Sequence, residues 1–215
     1  MVYRRFFKRC LDLLGAALLG LIALPIVDIA ALIVRIESPG PAFFRQVRVG
    51  KDCREFTIYK LRTMRVETEK DGRTLTDMER MTRWGGLFRK LSVDELPQLL
   101  NILKGDMSFI GPRPLLVQYV PRYSARQIRR HEVLPGITGW AQVNGRNAVS
   151  WPERLEMDVW YVEHLSFALD ARITFRTVGY VFARKGVNKS QGDTMEEFMG
   201  NGGTNAPGEG SEGRA

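Results

Sequence analysis

"LLGAALLGLIALPIVDIAALIV", residues 13–34, is a 22-residue apolar run that contains a single charged residue, Asp28. A helix of this length would be roughly 33 Å long, which matches the hydrocarbon core of a bilayer. The run is too long for a signal peptide and ends without a small-residue cleavage site. Its default interpretation is one transmembrane helix.

Three features favour instead a helix that enters one leaflet and returns. Basic residues flank the run on both sides, so the positive-inside rule gives no orientation. Pro25 removes a backbone hydrogen bond in mid-run and predicts a kink. Asp28 follows about one turn later, and a carboxylate at mid-bilayer depth would cost ~2.5–3.5 kcal/mol. From the residues alone, spanning and re-entrance are equally supported. The flanking basic residues are Arg4, Arg5, Lys8 and Arg9 before the run and Arg35, Arg45, Arg48 and Lys51 after it.

The length and charge of the chain predict one compact domain beside this membrane segment. The chain has 215 residues, and 32 basic against 24 acidic residues give a net charge of +8. That charge predicts anionic partners, among which phosphate-bearing substrates, anionic lipids and nucleic acid all remain open. Cys10 and Cys53 have no metal-ligand spacing and predict no disulfide framework. The predicted divisions are a membrane helix over 1–36, a catalytic domain over 37–186 and a C-terminal segment over 187–215, disordered from about 200.

The remaining sequence predicts a mainly α fold with a small β-hairpin. Two β-prone runs within 37–64 are separated by Gly-Lys-Asp, which predicts the hairpin. The charged stretch 65–83 predicts a loop with a short helix. A Ser150-x-x-Glu153 capping box predicts a helix that ends near His164. A leucine stripe before Gly105 predicts another helix, and its members are Leu96, Leu99, Leu100 and Leu103.

Two adjacent acids, Asp94 and Glu95, open that leucine-rich helix. Ser92-x-x-Glu95 is itself a capping-box pattern, so Glu95 could simply bond back to the helix start. The functional interpretation is chemistry on a phosphate, because a helix N-terminus stabilises a carboxylate and attracts phosphate oxygens. An ionised Asp94 can attack phosphorus, and Glu95 with Asp94 could hold Mg²⁺. The residues alone leave both interpretations open.

Asp158 occupies an apolar position on the predicted helix after Ser150, in line with Leu155 and Val162. A buried carboxylate needs a cationic partner or a metal, or else it becomes protonated. A structural Asp–Arg pair and a role in substrate binding are both compatible with this position.

Several cations are candidate phosphate ligands. Lys60 and Arg62 end the second predicted strand, where they could also be ordinary strand-edge charges. Arg113 lies between two prolines, which restrict its backbone as a bidentate phosphate ligand would require. Arg146, in Asn-Gly-Arg-Asn, is a further candidate, although an exposed turn arginine fits the pattern equally well.

Several ordered blocks resemble the bacterial monotopic phosphoglycosyl transferases, and the resemblance covers roughly residues 4–185. The chain is similar to the small members of that family, and within them to the diacetylbacillosamine-1-phosphate transferases that begin glycoprotein glycan assembly. One departure is Leu24 before Pro25, where family members often have Ser-Pro. The blocks are "KRCLDLLGA", "SPGPAFFRQVRVGK", "FTIYKLRTM", "DELPQLLNILKGDMSFIGPRP", "PGITGWAQVNGRN" and "SWPERLEMDVWYVEHLSFALD".

The resemblance implies transfer of sugar 1-phosphate from a UDP-sugar to polyprenyl phosphate, with release of UMP. It implies a ping-pong mechanism with Mg²⁺, in which Asp94 is the nucleophile and Glu95 assists through the metal or by activating the acceptor. Lys60, Arg113 and Asp158 match functionally important family positions, and Arg146 matches a phosphate contact. It also implies a re-entrant membrane helix and a compact cytoplasmic domain on the bacterial inner membrane.

The expected partners are therefore an N-acetylated UDP-sugar, undecaprenyl phosphate and membrane lipid, with no nucleic acid and with a homodimer left open. Two alternatives belong to other functional classes. A non-enzymatic membrane adaptor would explain the basic charge and the apolar helix, but it would not explain the paired acids. A membrane phosphatase would also use an aspartyl intermediate, but it would release inorganic phosphate without forming a lipid-linked product.

Overall fold

The computed structural model describes residues 2–70, 72–145, 149–182 and 197–200. In them the chain is mostly helical, as the sequence predicts, and it has three small sheets. The helices are α1 (Lys8–Glu37), α2 (Asp77–Arg80), α3 (Arg83–Lys90), α4 (Leu99–Lys104), α5 (Trp140–Asn144), α6 (Trp151–His164) and α7 (Phe167–Phe182). The strands are β1 (Phe43–Val49), β2 (Glu55–Leu61), β3 (Glu69–Lys70), β4 (Arg73–Thr74), β5 (Ser108–Ile110) and β6 (Gly136–Thr138).

The predicted hairpin is confirmed as the antiparallel pair β1–β2, in register from Phe43 opposite Leu61 to Val49 opposite Glu55. Two shorter pairs were not predicted, because strands of two or three residues carry almost no periodic signal. The β3–β4 pair is antiparallel, whereas β5 and β6 are parallel. The β5–β6 pair brings two backbones so close that a Cβ on Gly136 would lie 2.1 Å from the Gly111 nitrogen.

Helix α1 lies along the domain rather than projecting from it. It continues through Pro25 from Lys8 to Glu37, all of which the structure describes, and it is long and apolar enough to cross a membrane. One stripe is buried along both halves of the helix, while the opposite face exposes large apolar side chains. A proline can bend a helix without ending it, so the kink and the re-entrant topology stay predictions. The buried stripe consists of Lys8, Asp12, Ala16, Ala23, Ala30 and Val34.

Polar contacts fasten the first turns of α1 to the domain. Lys8 Nζ lies 2.7 Å from Asp170 Oδ2 on α7, and Arg9 Nη1 donates to the Ile102 carbonyl at 2.8 Å. Asp12 Oδ1 accepts from the Ser108 hydroxyl at 3.0 Å and from the backbone N–H that follows it at 3.1 Å. Buried charge-assisted bonds of this kind fix the helix to the core, so α1 is a structural part of the domain.

The helix predicted from Ser92 begins differently from the expectation. Val93–Gln98 forms a 3₁₀ turn that contains Pro97, and α-helix starts only at Leu99. A 3₁₀ turn has 3.0 residues per turn instead of 3.6, which shifts the phase of the buried face. The predicted leucine stripe was therefore partly wrong: Leu100 and Leu103 are 46% and 43% exposed, while Asn101 and Ile102 are fully buried.

Helix α6 matches its prediction at both ends. The Ser150 hydroxyl accepts from the Glu153 N–H, and the Glu153 carboxylate accepts in return from the Ser150 N–H at 2.9 Å. This reciprocal capping box satisfies two backbone donors that would otherwise lack partners. The helix ends at His164 and buries a face against the core, including Leu155 and Val162.

Residues 197–200 form a C-terminal anchor on the surface of the domain. Phe198 is only 1% exposed, and its ring lies 5.5–5.8 Å from those of Tyr119, Tyr123 and Trp151. Arg122 donates to the Phe198 carbonyl and to the carboxylate of the preceding Glu197. No sequence pattern predicted that residues 197–200 would pack on the domain. The predicted disordered tail beyond residue 200 lies outside the described residues.

Phe198→Ala is expected to lower the free energy of unfolding by about 3–5 kcal/mol, because it removes a fully buried aromatic ring from a packed cluster. Chemical denaturation in detergent measures this loss. Met199→Ala is the matched control: its side chain is 67% exposed, so its effect should stay within about 0.5 kcal/mol. Equal, small effects for the two variants would show that the anchor contributes little to stability.

Candidate active site

The 3₁₀ turn Val93–Gln98 carries Asp94 and Glu95, the acidic pair, and it rests on the middle of α1. Leu96 packs against a cluster that includes Ala16 and Ala23. Val93 packs against a second cluster, which includes Ala30 and Val34. The small alanine side chains allow close approach, so the acidic pair lies beside the central part of the apolar helix.

Glu95 is held by two cations. Its Oε1 lies 2.7 Å from Lys60 Nζ and 2.9 Å from Arg113 Nη2. Burial opposes ionisation of Glu95, but the charges of Arg113 and Lys60 and their hydrogen bonds outweigh it and hold its pKa at about 2. The capping-box interpretation is wrong, because Ser92 has a left-handed φ of 56° and makes no side-chain cap bond.

Asp94 has the opposite environment. It is 7% exposed, and among the described residues it makes no ion pair within 4.0 Å. Burial raises the pKa of Asp94, the negative charge of Glu95 raises it further, and Lys60 and Arg89 oppose the rise. The helix N-terminus was expected to favour the ionised form of this carboxyl group, but burial and charge repulsion dominate and raise its pKa. Two adjacent carboxyl groups thus have pKa values shifted in opposite directions.

The two cations of the site come from elements that fix their positions. Lys60 is near the end of β2, and burial is the main cause of its lowered pKa. Arg113 follows Pro112, whose carbonyl accepts from the Gly136 N–H at 3.0 Å. The Arg113 carbonyl accepts from Arg130 Nη2 at 2.7 Å. The elbow that presents Arg113 is therefore bonded on both sides of its backbone.

Asp158 forms the buried ion pair that its apolar setting required. Its Oδ2 accepts from Arg130 Nε at 3.1 Å and from Nη2 at 2.8 Å, and both side chains are 2–3% exposed. Asp158 therefore contacts Arg130, which donates to the Arg113 carbonyl, and it does not contact the acidic pair. Its predicted role in substrate binding stays a prediction, and its position beside Arg130 favours a role exerted through the Arg113 elbow.

The other two predicted ligands have different outcomes. Arg62 is buried, and its guanidinium donates to Ser38 Oγ at 2.7 Å, to the Ser38 carbonyl at 2.8 Å and to the Pro41 carbonyl at 2.6 Å. These hydrogen bonds stabilise the turn that leads from α1 into β1, and the predicted substrate contact of Arg62 stays a prediction. Arg146 lies outside the described residues.

Asp94 and Glu95 fit a Mg²⁺ site only if a bound substrate supplies further oxygen ligands to the metal. Among the described residues no group of three or more His, Cys, Asp or Glu side chains is placed to hold a metal ion. Mg²⁺ commonly takes one or two carboxylates, several waters and substrate phosphates. Asp94 and Glu95 supply the two carboxylates of such a set, and the phosphates would have to come from the substrate.

Two residues of the site were not singled out from the sequence. Arg89 Nε donates to Thr63 Oγ1 at 2.9 Å, and its charge opposes the raised pKa of Asp94. Arg130 is the cation that Asp158 required, and it belongs to a basic stretch with three other arginines. Its burial distinguishes Arg130 from the other three arginines of this stretch, and no sequence pattern predicted that it would be buried.

Comparison with known proteins identifies the family of the chain. The family model described as "Bacterial sugar transferase" matches residues 3–184. An "Uncharacterized sugar transferase EpsL" of Bacillus subtilis is 50% identical over 195 residues, which cover 91% of this chain and 96% of that protein. A UDP-glucose:undecaprenyl-phosphate glucose-1-phosphate transferase of Caulobacter vibrioides is 43% identical over 80% of this chain and 68% of its own length.

A third relative is longer than this chain. The UDP-N-acetylgalactosamine-undecaprenyl-phosphate N-acetylgalactosaminephosphotransferase of Aeromonas hydrophila is 42% identical over 80% of this chain, but the match covers only 43% of that protein. The resemblance to phosphoglycosyl transferases is confirmed at the level of the family, and the chain is an enzyme of that class. A particular closeness to the diacetylbacillosamine enzymes stays a prediction. The match over most of its length places the chain in the bacterial sugar transferase family.

Proposed function

We propose that the protein transfers sugar 1-phosphate from a UDP-sugar to polyprenyl phosphate through a covalent phosphosugar on Asp94. The proposal rests on one observation, the different surroundings of the two carboxyl groups of the acidic pair. Glu95 is held ionised by Lys60 and Arg113, while Asp94 is buried beside it without an ion pair. A carboxylate that no cation neutralises keeps its oxygens available for attack on phosphorus.

In the first half-reaction, an oxygen of ionised Asp94 forms a bond to the β-phosphorus of the UDP-sugar. The bond from that phosphorus to the oxygen that bridges the two phosphates breaks, and UMP leaves with that oxygen and the electron pair. The repulsion from Glu95 that raises the pKa of Asp94 also makes its oxygen more basic. Lys60 and Arg113 lie where they can offset negative charge on the transferred phosphate.

In the second half-reaction, a phosphate oxygen of the polyprenyl acceptor attacks the same phosphorus. The bond between phosphorus and Asp94 breaks, and its electron pair returns to the carboxylate. The product is a polyprenyl diphosphate sugar. No net oxidant or reductant is needed, and the enzyme returns to its starting state.

The low pKa of Glu95 favours one of the two roles that the sequence left open. A carboxylate with a pKa of about 2 is a weak base near neutral pH, so it is poorly suited to take a proton from the acceptor. It is well suited to remain ionised as a ligand. When bound by the acidic pair and the substrate phosphates, Mg²⁺ would neutralise phosphate charge and hold the donor in position.

Membrane association follows from the exposed face of α1 and from the apolar side chains near the site. The acidic pair lies beside the middle of that helix, and Leu100 and Leu103 of the neighbouring α4 are also exposed. A prenyl chain could lie along this apolar surface while its phosphate reaches the acidic pair. We propose a re-entrant α1 in the bacterial inner membrane, with the remaining domain on the cytoplasmic face. A homodimer stays open.

The test supplies purified protein in nanodiscs with Mg²⁺, undecaprenyl phosphate and one UDP-sugar at a time, and measures UMP, inorganic phosphate and lipid-linked sugar. We expect UMP and lipid-linked diphosphate sugar in equal amounts, with an N-acetylated donor giving the highest rate. Inorganic phosphate without a lipid product would support the phosphatase. The absence of every product across glucose, galactose, N-acetylhexosamine and diacetylbacillosamine donors would support the adaptor.

A further inference from the structure

Arg48 lies on the same face of the hairpin as the active-site residue Lys60. Residues directly opposite each other on paired strands share a face, and so do residues two apart on one strand. Lys60 is opposite Phe44, and Phe44, Gln46 and Arg48 alternate along β1 on that face. Arg48 is four residues beyond Phe44, so the two cations are separated by about 13 Å along the strands.

The Arg48 side chain lacks a counter-ion. Its Nη2 donates to Gln46 Oε1 at 2.6 Å, while its Nε is buried and has no hydrogen-bond partner. Among the described residues, no carboxylate lies within 4.0 Å of it, whereas eight other arginines have an acidic partner within that distance. A partly buried guanidinium with an unused donor is costly unless a ligand supplies an acceptor. The eight are Arg4, Arg73, Arg80, Arg113, Arg122, Arg126, Arg129 and Arg130.

Arg48 is also fastened to the Arg113 elbow. The N–H of Val49, the next residue, donates to the carbonyl of Leu115 at 3.1 Å, two residues after Arg113. Burial lowers the pKa of Arg48, and the positive charge of Arg113 lowers it further. Two guanidinium groups are thus held within electrostatic range of each other, although like charges repel.

The charges around Arg113 leave an excess of positive charge. Among the described residues, the acidic pair faces Lys60 and Arg113, and Asp158, which already pairs with Arg130, faces Arg154, so the cations there outnumber the carboxylates by two. A phosphate dianion would balance this excess. The cations are Lys60, Arg113, Arg48, Arg154 and Arg130, and the carboxylates are Asp94, Glu95 and Asp158.

We propose that Arg48 binds the phosphate next to the one that is transferred: first the α-phosphate of the departing UMP, then the phosphate of the polyprenyl acceptor. This inference rests on the proposed function. Lys60 and Arg113 meet at Glu95 and so surround the transferred phosphate, while Arg48 extends the cationic row away from the acidic pair. In phosphoryl transfer the attacking and leaving oxygens are roughly in line. Because Asp94 attacks from one side in the first step and leaves on that side in the second, the acceptor phosphate must enter where UMP departed.

The experiment measures the two half-reactions separately in Arg48→Gln. Adduct formation on Asp94 is followed by intact mass at limiting UDP-sugar without acceptor. Adduct clearance is then followed at limiting undecaprenyl phosphate. Because a hydrogen-bonded charge is lost at both stages, we expect both second-order rate constants to fall by a similar factor, roughly 10- to 100-fold. UMP, which clears the adduct by re-forming UDP-sugar as the P–O bond to Asp94 breaks, should also do so more slowly in Arg48→Gln, whereas a purely structural role would leave the concentration dependence on UMP unchanged.

Arg45→Gln is the matched control, because Arg45 is on the same strand but on the opposite face, exposed and above the Tyr59 ring. It should leave both rate constants within about twofold of those of the unmodified protein. If Arg48→Gln lowers only the rate constant of adduct formation, one subsite does not serve both phosphates. If it changes neither rate constant, the whole inference is wrong. If the unmodified protein forms no adduct with any donor, the proposed function itself fails. Thermal unfolding confirms that each variant is folded.

Discussion

Asp94→Asn is expected to reduce turnover by at least about 10³-fold, because an amide cannot form the covalent phosphosugar and the remaining groups only bind and orient. Its stability should not fall. The raised pKa of Asp94 means that its ionised form is disfavoured in the folded state, so above its ordinary pKa this group lowers stability, and the neutral amide removes that penalty. The variant should therefore unfold at the same temperature as the unmodified protein or at a higher one.

Turnover is measured as UMP release, and stability is measured by thermal unfolding in the same detergent. Asp77→Asn serves as the control, because Asp77 is an exposed acid at the start of α2 whose one ion pair with the described residues is with Arg80, at 3.7 Å. It should change turnover by less than about twofold. An Asp94→Asn variant that retained a tenth of the activity while folded would show that Asp94 is not the nucleophile.

Asp158→Asn is expected to lower the free energy of unfolding by about 3–5 kcal/mol. The substitution keeps the shape of the side chain but leaves Arg130 charged, almost fully buried and without an anionic partner. Because Arg130 also donates to the Arg113 carbonyl, the elbow loses a positioned partner, and turnover of the folded fraction should fall as well. Chemical denaturation gives the first quantity, and UMP release gives the second.

The matched control for Asp158 lies on the same helix. Glu156 pairs with Arg126 at 2.5 Å, but both side chains are about half exposed, so Glu156→Gln should cost less than about 1 kcal/mol. Both variants remove one carboxylate that pairs with an arginine, but Arg126 is exposed and keeps Glu163 at 3.2 Å, whereas Arg130 is buried and keeps no anionic partner among the described residues. Equal losses would contradict the view that the Asp158 pair is distinguished by its burial.

Local patterns were sufficient for the elements that depend on local chemistry. The hairpin and α6 follow from alternation, turn residues and the capping box at Ser150, all of which act within a few residues. The same capping pattern at Ser92 gave a wrong prediction, because the backbone there is left-handed and the Ser92 hydroxyl makes no cap bond. Pro97 then favours a 3₁₀ turn, and its different period moves Asn101 into the core.

Long-range contacts explain the rest. Glu95 meets Lys60 across 35 residues and Arg113 across 18, and only the resemblance to a known family brought these residues together in advance. Arg62 resembles a strand-end cation in sequence, yet the carbonyls of a distant turn occupy its donors. The position of Phe198 depends on an aromatic cluster assembled from three separate elements, which no local signal reveals.

The proposed mechanism depends on a covalent phosphosugar on Asp94, which intact-protein mass spectrometry detects directly. The protein is incubated with Mg²⁺ and each UDP-sugar in turn, with no lipid acceptor. For one donor we expect a mass increase equal to the sugar phosphate. This increase should map to Asp94, be absent in Asp94→Asn and disappear when undecaprenyl phosphate is added. Lipid-linked product formed at full rate without any such adduct would contradict this mechanism, because the sugar phosphate would then pass directly from donor to acceptor.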